Sequence, residues 1–349
     1  DRENRVALTR DHIFRVFSNT KLITSCAALL LWEQGRFGLD DPVDEYIPAL
    51  AKRHVLRPGA TRIDDTEPAR APITIRHLLS HSSGLSYGLL DPGSTMFAAY
   101  TERKLLSPRD TLAEMVDKLG TLPLSYHPGT AWEYSVATDV VSRLVEVISG
   151  QSFGDYIDAQ ILRPLGMVDT GFVLPPAQQH RLTAVYAGAD VMDPLKPGLT
   201  RTDDYPHPGA YRTVMPKQSG GAGLASTLPD MVALLRSLLP GGPTLLKPET
   251  LKLLFTNQLA DGVGIRFSMS GPIPGRGYSL GGALTRVPWA ADPSDAVGDL
   301  QWGGIAGTHW WISPQDNMAG LAMTQRQMGF WHPYWFELKA LMRQAVRGA

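Results

Sequence analysis

The sequence predicts an α/β protein of the α+β kind, an antiparallel sheet flanked by helices with a mainly helical domain inserted into it. Three observations carry this. Helical periodicity dominates the middle of the chain. In the last third it gives way to short β-like runs at about 263–269, 278–286, 299–305, 308–313 and 318–325, separated by Gly, Pro and Asp. HPYWFELKALMRQAV then closes the chain as a helix, with Pro333 near its first turn. That order assigns residues 1–50 and 220–349 to the sheet-bearing domain and 51–219 to the helical one, with a site expected in the cleft between them.

The elements follow in order. HIFRVF alternates as a short extended arrival, and residues 18–34 then read as a helix. Leu22, Ile23, Cys26, Leu29, Leu30 and Trp32 form an apolar stripe wide enough for a central helix, and Gly35 ends it. Residues 51–72, rich in Arg, Pro, Asp and Thr, read as surface. ITIRHLLSHSSGL is a short helix opened by Thr74 and ending at Gly84. Residues 91–130 hold polar loops and one helix near 108–118. WEYSVATDVVSRLVEVISG is amphipathic, with Val140, Leu144, Val147 and Ile148 facing in, and GQSFGDYIDAQILRPLGM adds another helix. Residues 174–219 read as a long surface excursion lining a cleft. GGAGLASTLPDMVALLRSLL is a strand and then a helix capped by Ser226 or Thr227.

Composition narrows the function. The chain has 349 residues, a net charge of −1 and 43% hydrophobic residues, enough for a large core. Without excess positive charge, nucleic acid and acidic membrane surfaces are not expected partners. The single cysteine, Cys26, excludes an internal disulfide, and no apolar run reaches membrane-spanning length. The absence of a visible signal peptide favours the cytoplasm, although a first residue of Asp1 is consistent with trimming.

Chemistry concentrates in three stretches. Ser18 and Lys21, in the chain's only S-x-x-K, stack one helical turn apart. Lys21 opens a nearly all-apolar helix, where a half-buried amine gives up its charge more readily and can accept a serine proton. A serine at a helix start also has backbone amides that can hold an oxyanion. Three G-x-S-x-G matches compete, around Ser86, Ser152 and Ser279. A hydrolase elbow needs a strand, the serine, then a helix, and none of the three has that context. Tyr134 begins the amphipathic segment, either as a core aromatic or as a phenol moving protons beside a lysine. In Gln301–Trp302–Gly303–Gly304–Ile305 a glycine pair interrupts a strand, either for a hairpin or bulge or for a substrate along the edge. His77 and His81 have helical zinc spacing but no HExxH and no third ligand, so an ordinary hydrogen-bonded pair is expected and no metal.

In order, SNTK, HLLSHSSGL, Tyr134–Ser135–Val136 and Trp302–Gly303–Gly304 resemble the serine β-lactamase and D-alanyl-D-alanine-peptidase superfamily. Within it, the chain most resembles the family VIII carboxylesterases, which are similar to class C β-lactamases. The resemblance implies a β-lactamase/transpeptidase-like fold, no cofactor, and a small-molecule ester as partner. It implies Ser18 as the acylated nucleophile, Lys21 as its proton relay and Tyr134 as general base with Lys21. The backbone amides of Ser18 and Ile305 would form the oxyanion hole, and Trp302, Gly303, Gly304 and Val136 would contact substrate. Val136 stands where the superfamily has the asparagine of Y-x-N, and Trp302 where it has the lysine of K-T-G. Both departures point to neutral esters, with short acyl chains expected from a small W-G-G-walled pocket. β-Lactam or peptide hydrolysis, acyl transfer to an alcohol and a non-enzymatic penicillin-binding role are the alternatives. The resemblance further implies a helix and two strands ahead of S-x-x-K, whereas Ser18 stands close to the first residue here.

Overall fold

The structure is a computed structural model that describes residues 1–190, 193–268 and 270–348. The chain enters through β1 (Ile13–Arg15), buried along its whole length. It then makes a 3₁₀ turn, Phe17–Asn19, before α1 (Thr20–Glu33). The helix thus starts later than its spacing predicts, and Ser18 lies in the tight turn ahead of it. Every residue of α1 from Thr20 to Leu29 is buried, so it has no solvent face and serves as the central helix.

The helical region begins after the hairpin β2 (His54–Leu56) and β3 (Thr66–Pro68). In α2 (Ile75–Leu79), Thr74 and His77 cap one another reciprocally. α2 stops well before the expected Gly84, because His81 adopts a left-handed backbone, φ +55°. α3 (Thr95–Glu102), capped by Ser94, lies in a stretch read as loop. α4 (Leu112–Gly120) has a Thr111–Glu114 capping box and begins later than predicted. α5 (Ala137–Ser149) buries Val140, Val141, Leu144, Val145 and Ile148. Val147, expected inside, is 38% exposed: it lies about 20° from Val140 on the helical period, but at the edge of the buried arc and in the last turn of α5. α6 (Phe153–Ile157) follows.

The 174–219 excursion carries the small hairpin β4 (Tyr186–Gly188) and β5 (Leu199–Arg201). β6 (Ala225–Thr227) pairs antiparallel with β1 and feeds α7 (Leu228–Ser237), capped by Thr227. α8 (Pro248–Leu254) was not predicted. β7 (Arg266–Phe267) and β8 (Gly271–Pro272) pair across the first predicted run, whose last position, 269, lies outside the described residues.

The principal sheet has five antiparallel strands, drawn from β9 (Arg276–Tyr278), β10 (Ala283–Thr285), β11 (Leu300–Gly304), β12 (Thr308–Ser313) and β13 (Met318–Ala322), in the order β13-β12-β11-β10-β9. The run predicted as one strand over 278–286 is a hairpin, turned by Ser279–Gly282 with Ser279 N donating to Gly282 O at 2.8 Å. Alternation sends neighbouring side chains to opposite faces. Trp310 and Ile312 join the core that holds α1, while Trp311 packs on Trp335 of α9 (Tyr334–Arg347). α9 is anchored by buried charge. Lys339 Nζ lies 2.9 Å from Asp299 Oδ2 and donates to Gln301 Oε1 at 2.9 Å, which ties the helix to β11.

Candidate active site

Ser18 is presented by a strained turn. Phe17 takes φ +44°, a left-handed conformation that costs a non-glycine residue roughly 1–2 kcal/mol. The surroundings impose it: Val16 N donates to Leu224 O at 3.1 Å, and Val16 O accepts from Thr308 Oγ1 at 3.1 Å. One helical turn on, Lys21 is 2% exposed. Its Nζ donates to Gly221 O at 2.7 Å and lies 3.4 Å from Ser18 Oγ.

Tyr134 approaches from the other side. It sits in the loop ahead of α5 rather than in the helix, and its Oη donates to Ser18 Oγ at 2.6 Å. Trp302 Nε1 donates to the same phenol oxygen at 3.4 Å, and Lys21 Nζ stands 4.6 Å from the Tyr134 ring centroid. Tyr87 stacks on Tyr134 at 5.6 Å with a 15° interplanar angle, and His81 packs at 5.0 Å. Ser18, Lys21, Tyr134 and Trp302, far apart in sequence, therefore converge.

His81 is structural. Its Nδ1 accepts from Ser135 N at 3.3 Å and lies 3.0 Å from Ser135 Oγ. Burial, then the charge of Lys21, hold its pKa well below the usual histidine value, so the ring is neutral. No cluster of metal-ligating side chains occurs among the described residues.

The glycines of W-G-G answer to close packing within the chain. Gly303 faces His309 across β12, and a Cβ at 303 would come 2.6 Å from His309 Nδ1. A Cβ at Gly304 would come 2.6 Å from Val16 O and 3.3 Å from Phe17 Cβ, besides striking Thr308 Oγ1. Gly304 thus lets the end of β11 lie against the turn that carries Ser18, and Ile305 follows directly.

A cavity of about 870 Å³ opens on these groups. Ser18, Tyr134, Trp302, Gly303 and Ile305 line it, with Leu89, Phe172, Tyr205 and Phe267 among its apolar walls. The 205–219 part of the long excursion forms one side, as expected, and Ala222 and Gly223 continue it. The small pocket inferred from W-G-G is corrected by this volume, because β11 supplies only one wall. Val136 is also corrected: it is 0% exposed in the core, its amide donates to Ser86 O, and it does not line the cavity. Gly304 is absent from the lining too. Neither Ser86 nor Ser279, both buried, nor Ser152, which caps α6, reaches the cavity.

Two features escaped the sequence reading. Asp139, buried in the first turn of α5, accepts from Ser219 Oγ at 2.6 Å and Gly221 N at 3.2 Å. The turn it holds supplies the carbonyl that receives Lys21. The signals were present as an aspartate on an apolar helix face and the glycine cluster Gly220, Gly221 and Gly223, but neither names its partner.

The β-lactamase family model matches residues 1–341, and the chain belongs to that family. It is 32% identical to esterase EstB from Burkholderia gladioli over 339 residues, 93% of this chain and 80% of that protein. It is also 32% identical to lovastatin esterase from Penicillium rubens over 355 residues, 97% of this chain and 84% of the relative. The structure of EstCE1, described as a hydrolase with promiscuous acyltransferase activity, superimposes with a TM-score of 0.80 at 27% identity, covering 97% of this chain and 87% of its own. The fold is accordingly β-lactamase/transpeptidase-like.

Proposed function

We propose that the protein is a carboxylesterase working through an acyl-enzyme on Ser18, in a cleft between a sheet-bearing part (1–50 and 220–349) and a mainly helical part (51–219). The observation that carries this is the Ser18 Oγ placed 2.6 Å from Tyr134 Oη and 3.4 Å from Lys21 Nζ on an apolar cavity. Ser18 Oγ attacks the ester carbonyl carbon as its proton passes to the Tyr134–Lys21 pair. The amides of Ser18 and Ile305 hold the oxyanion. The C–O bond to the alcohol breaks, and the pair returns the proton to the leaving oxygen. Water, deprotonated by the same pair, then attacks the acyl carbon, and the acid leaves as Ser18 Oγ regains its proton.

Neutral esters are the proposed substrates. Among the described lining residues the cations are Lys217 and Arg276, and both are engaged. Lys217 donates to Leu105 O at 2.6 Å, and Arg276 pairs with Asp292. Trp302, beside Tyr134 and Ser18, offers a β-lactam or peptide carboxylate no charge-assisted bond. The cavity volume supports esters bulkier than a short acyl chain as well as short ones.

The named esterase relatives support the same reading. Side-by-side assays with an aryl ester series of increasing acyl length and with nitrocefin test it. The ester turnover is expected to exceed nitrocefin turnover by orders of magnitude, and the reverse order overturns the assignment. A second reading, transfer of the acyl group to an alcohol, is favoured by the room for an acceptor beside the acyl-enzyme, and product analysis with a competing alcohol detects it.

A further inference from the structure

We infer that Asp139 is a positioning residue for this chemistry, aiming the Lys21 ammonium at Ser18 through Gly221. The inference rests on the reading of Ser18 as the nucleophile.

Asp139 is 3% exposed, and Lys217 feels its charge without a salt bridge within 4 Å between them. Its Oδ1 accepts instead from two neutral donors, Ser219 Oγ at 2.6 Å and Gly221 N at 3.2 Å. A buried carboxylate held in this way is costly, and a place in the first turn of a long helix offsets only part of that cost. What the carboxylate holds is the tight turn 219–223. Ala222 N donates to Ser219 Oγ at 3.2 Å and Gly223 N to Ser219 O at 2.8 Å. Gly221 fits only as glycine, since a Cβ there would come 2.7 Å from Asp139 Oδ2. From the same residue, Gly221 O receives Lys21 Nζ at 2.7 Å.

Asp139, the turn, Lys21 and Ser18 therefore stand in series. An ammonium has three donors on one rotor. Fixing one on Gly221 O sets where the others point, and one of them faces Ser18 Oγ at 3.4 Å. When the carboxylate is removed, the turn is free to shift, and misplacement of a reacting group by about 1 Å costs on the order of 100-fold in rate.

Asp139 lines the cavity, so a small carboxylate can enter the space its side chain leaves. Asp139→Ala is expected to lower kcat for an aryl ester about 100-fold with KM within about threefold. Added formate or acetate should restore about tenfold of that loss, a rescue that a purely structural role does not give. Asp139→Asn, which keeps an acceptor without the charge, should lose about tenfold. Fluorophosphonate labelling of Ser18 should slow in parallel in each variant. An Asp139→Ala protein that melts cooperatively and keeps wild-type kcat overturns the inference, as does a loss that resides in KM and ignores carboxylates. If Asp139→Ala does not fold, Asp139→Asn and Ser219→Ala decide, and unchanged kcat in both overturns it. Failure of the underlying reading looks different: the wild-type enzyme itself then goes unlabelled at Ser18.

Discussion

Tyr134→Phe isolates one atom of the proposed machinery. The phenol oxygen donates to Ser18 Oγ at 2.6 Å and accepts from Trp302 Nε1 at 3.4 Å. The ring also packs against His81, Tyr87 and Trp302, and those contacts survive the change. Loss of a positioned proton carrier is worth about 10²–10⁴ in rate. At about 1.4 kcal/mol per tenfold, that is roughly 3–5 kcal/mol of transition-state stabilisation. KM should stay within about threefold, because the cavity wall is unchanged. The fold should lose only about 1 kcal/mol, for one hydrogen-bonded hydroxyl. Steady-state hydrolysis of an aryl ester, with a thermal melt of both proteins, measures all three quantities. A variant that keeps wild-type kcat, or loses efficiency only through KM, refutes Tyr134 as the proton carrier.

Further outcomes follow from the packing. Gly304→Ala forces a methyl against Val16 O and Phe17 Cβ, and should destabilise the protein by about 1–3 kcal/mol while lowering kcat, read by melting and assay. Glu133, in the loop ahead of Tyr134, is pushed up to about 7 by burial. The native state therefore holds a proton that the unfolded chain releases near its ordinary value of 4.5. That contribution to stability is full below the ordinary value and lost as pH rises through about 7, a change on the order of 3 kcal/mol. Glu133→Gln should flatten this stretch of the stability–pH curve, and an unchanged slope in urea titrations across it contradicts the assignment.

The sequence carried those parts of the site that depend on local spacing. Ser18 and Lys21 are one turn apart, and burial of α1 follows from its composition. Trp302 and the glycines announced a strand needing close approach, but the approaching groups, Val16, Phe17 and His309, come from elements the pattern could not pair with it. The hairpin at Ser279–Gly282 was hidden because each of its strands is only three residues long and buried, so the turn with its central Leu280 did not interrupt the run. α3 and α8 are short, and their residues read equally well as loop until tertiary packing selects a helix. Val147 shares the i, i+4, i+7, i+8 spacing of Val140, Leu144 and Ile148, and only its place in the last turn of α5, which no spacing shows, leaves it exposed. Asp139 was invisible as a functional residue because its partners lie eighty or more positions away, in a glycine-rich turn with no pattern of its own.

Mass spectrometry of the protein after brief reaction with a fluorophosphonate, or with a slowly deacylating aryl ester, tests the central claim most directly. A single adduct is expected on the peptide that contains Ser18, absent in Ser18→Ala, whose hydrolysis is also abolished. An adduct on Ser86, Ser152 or Ser279, or full turnover by Ser18→Ala, contradicts it.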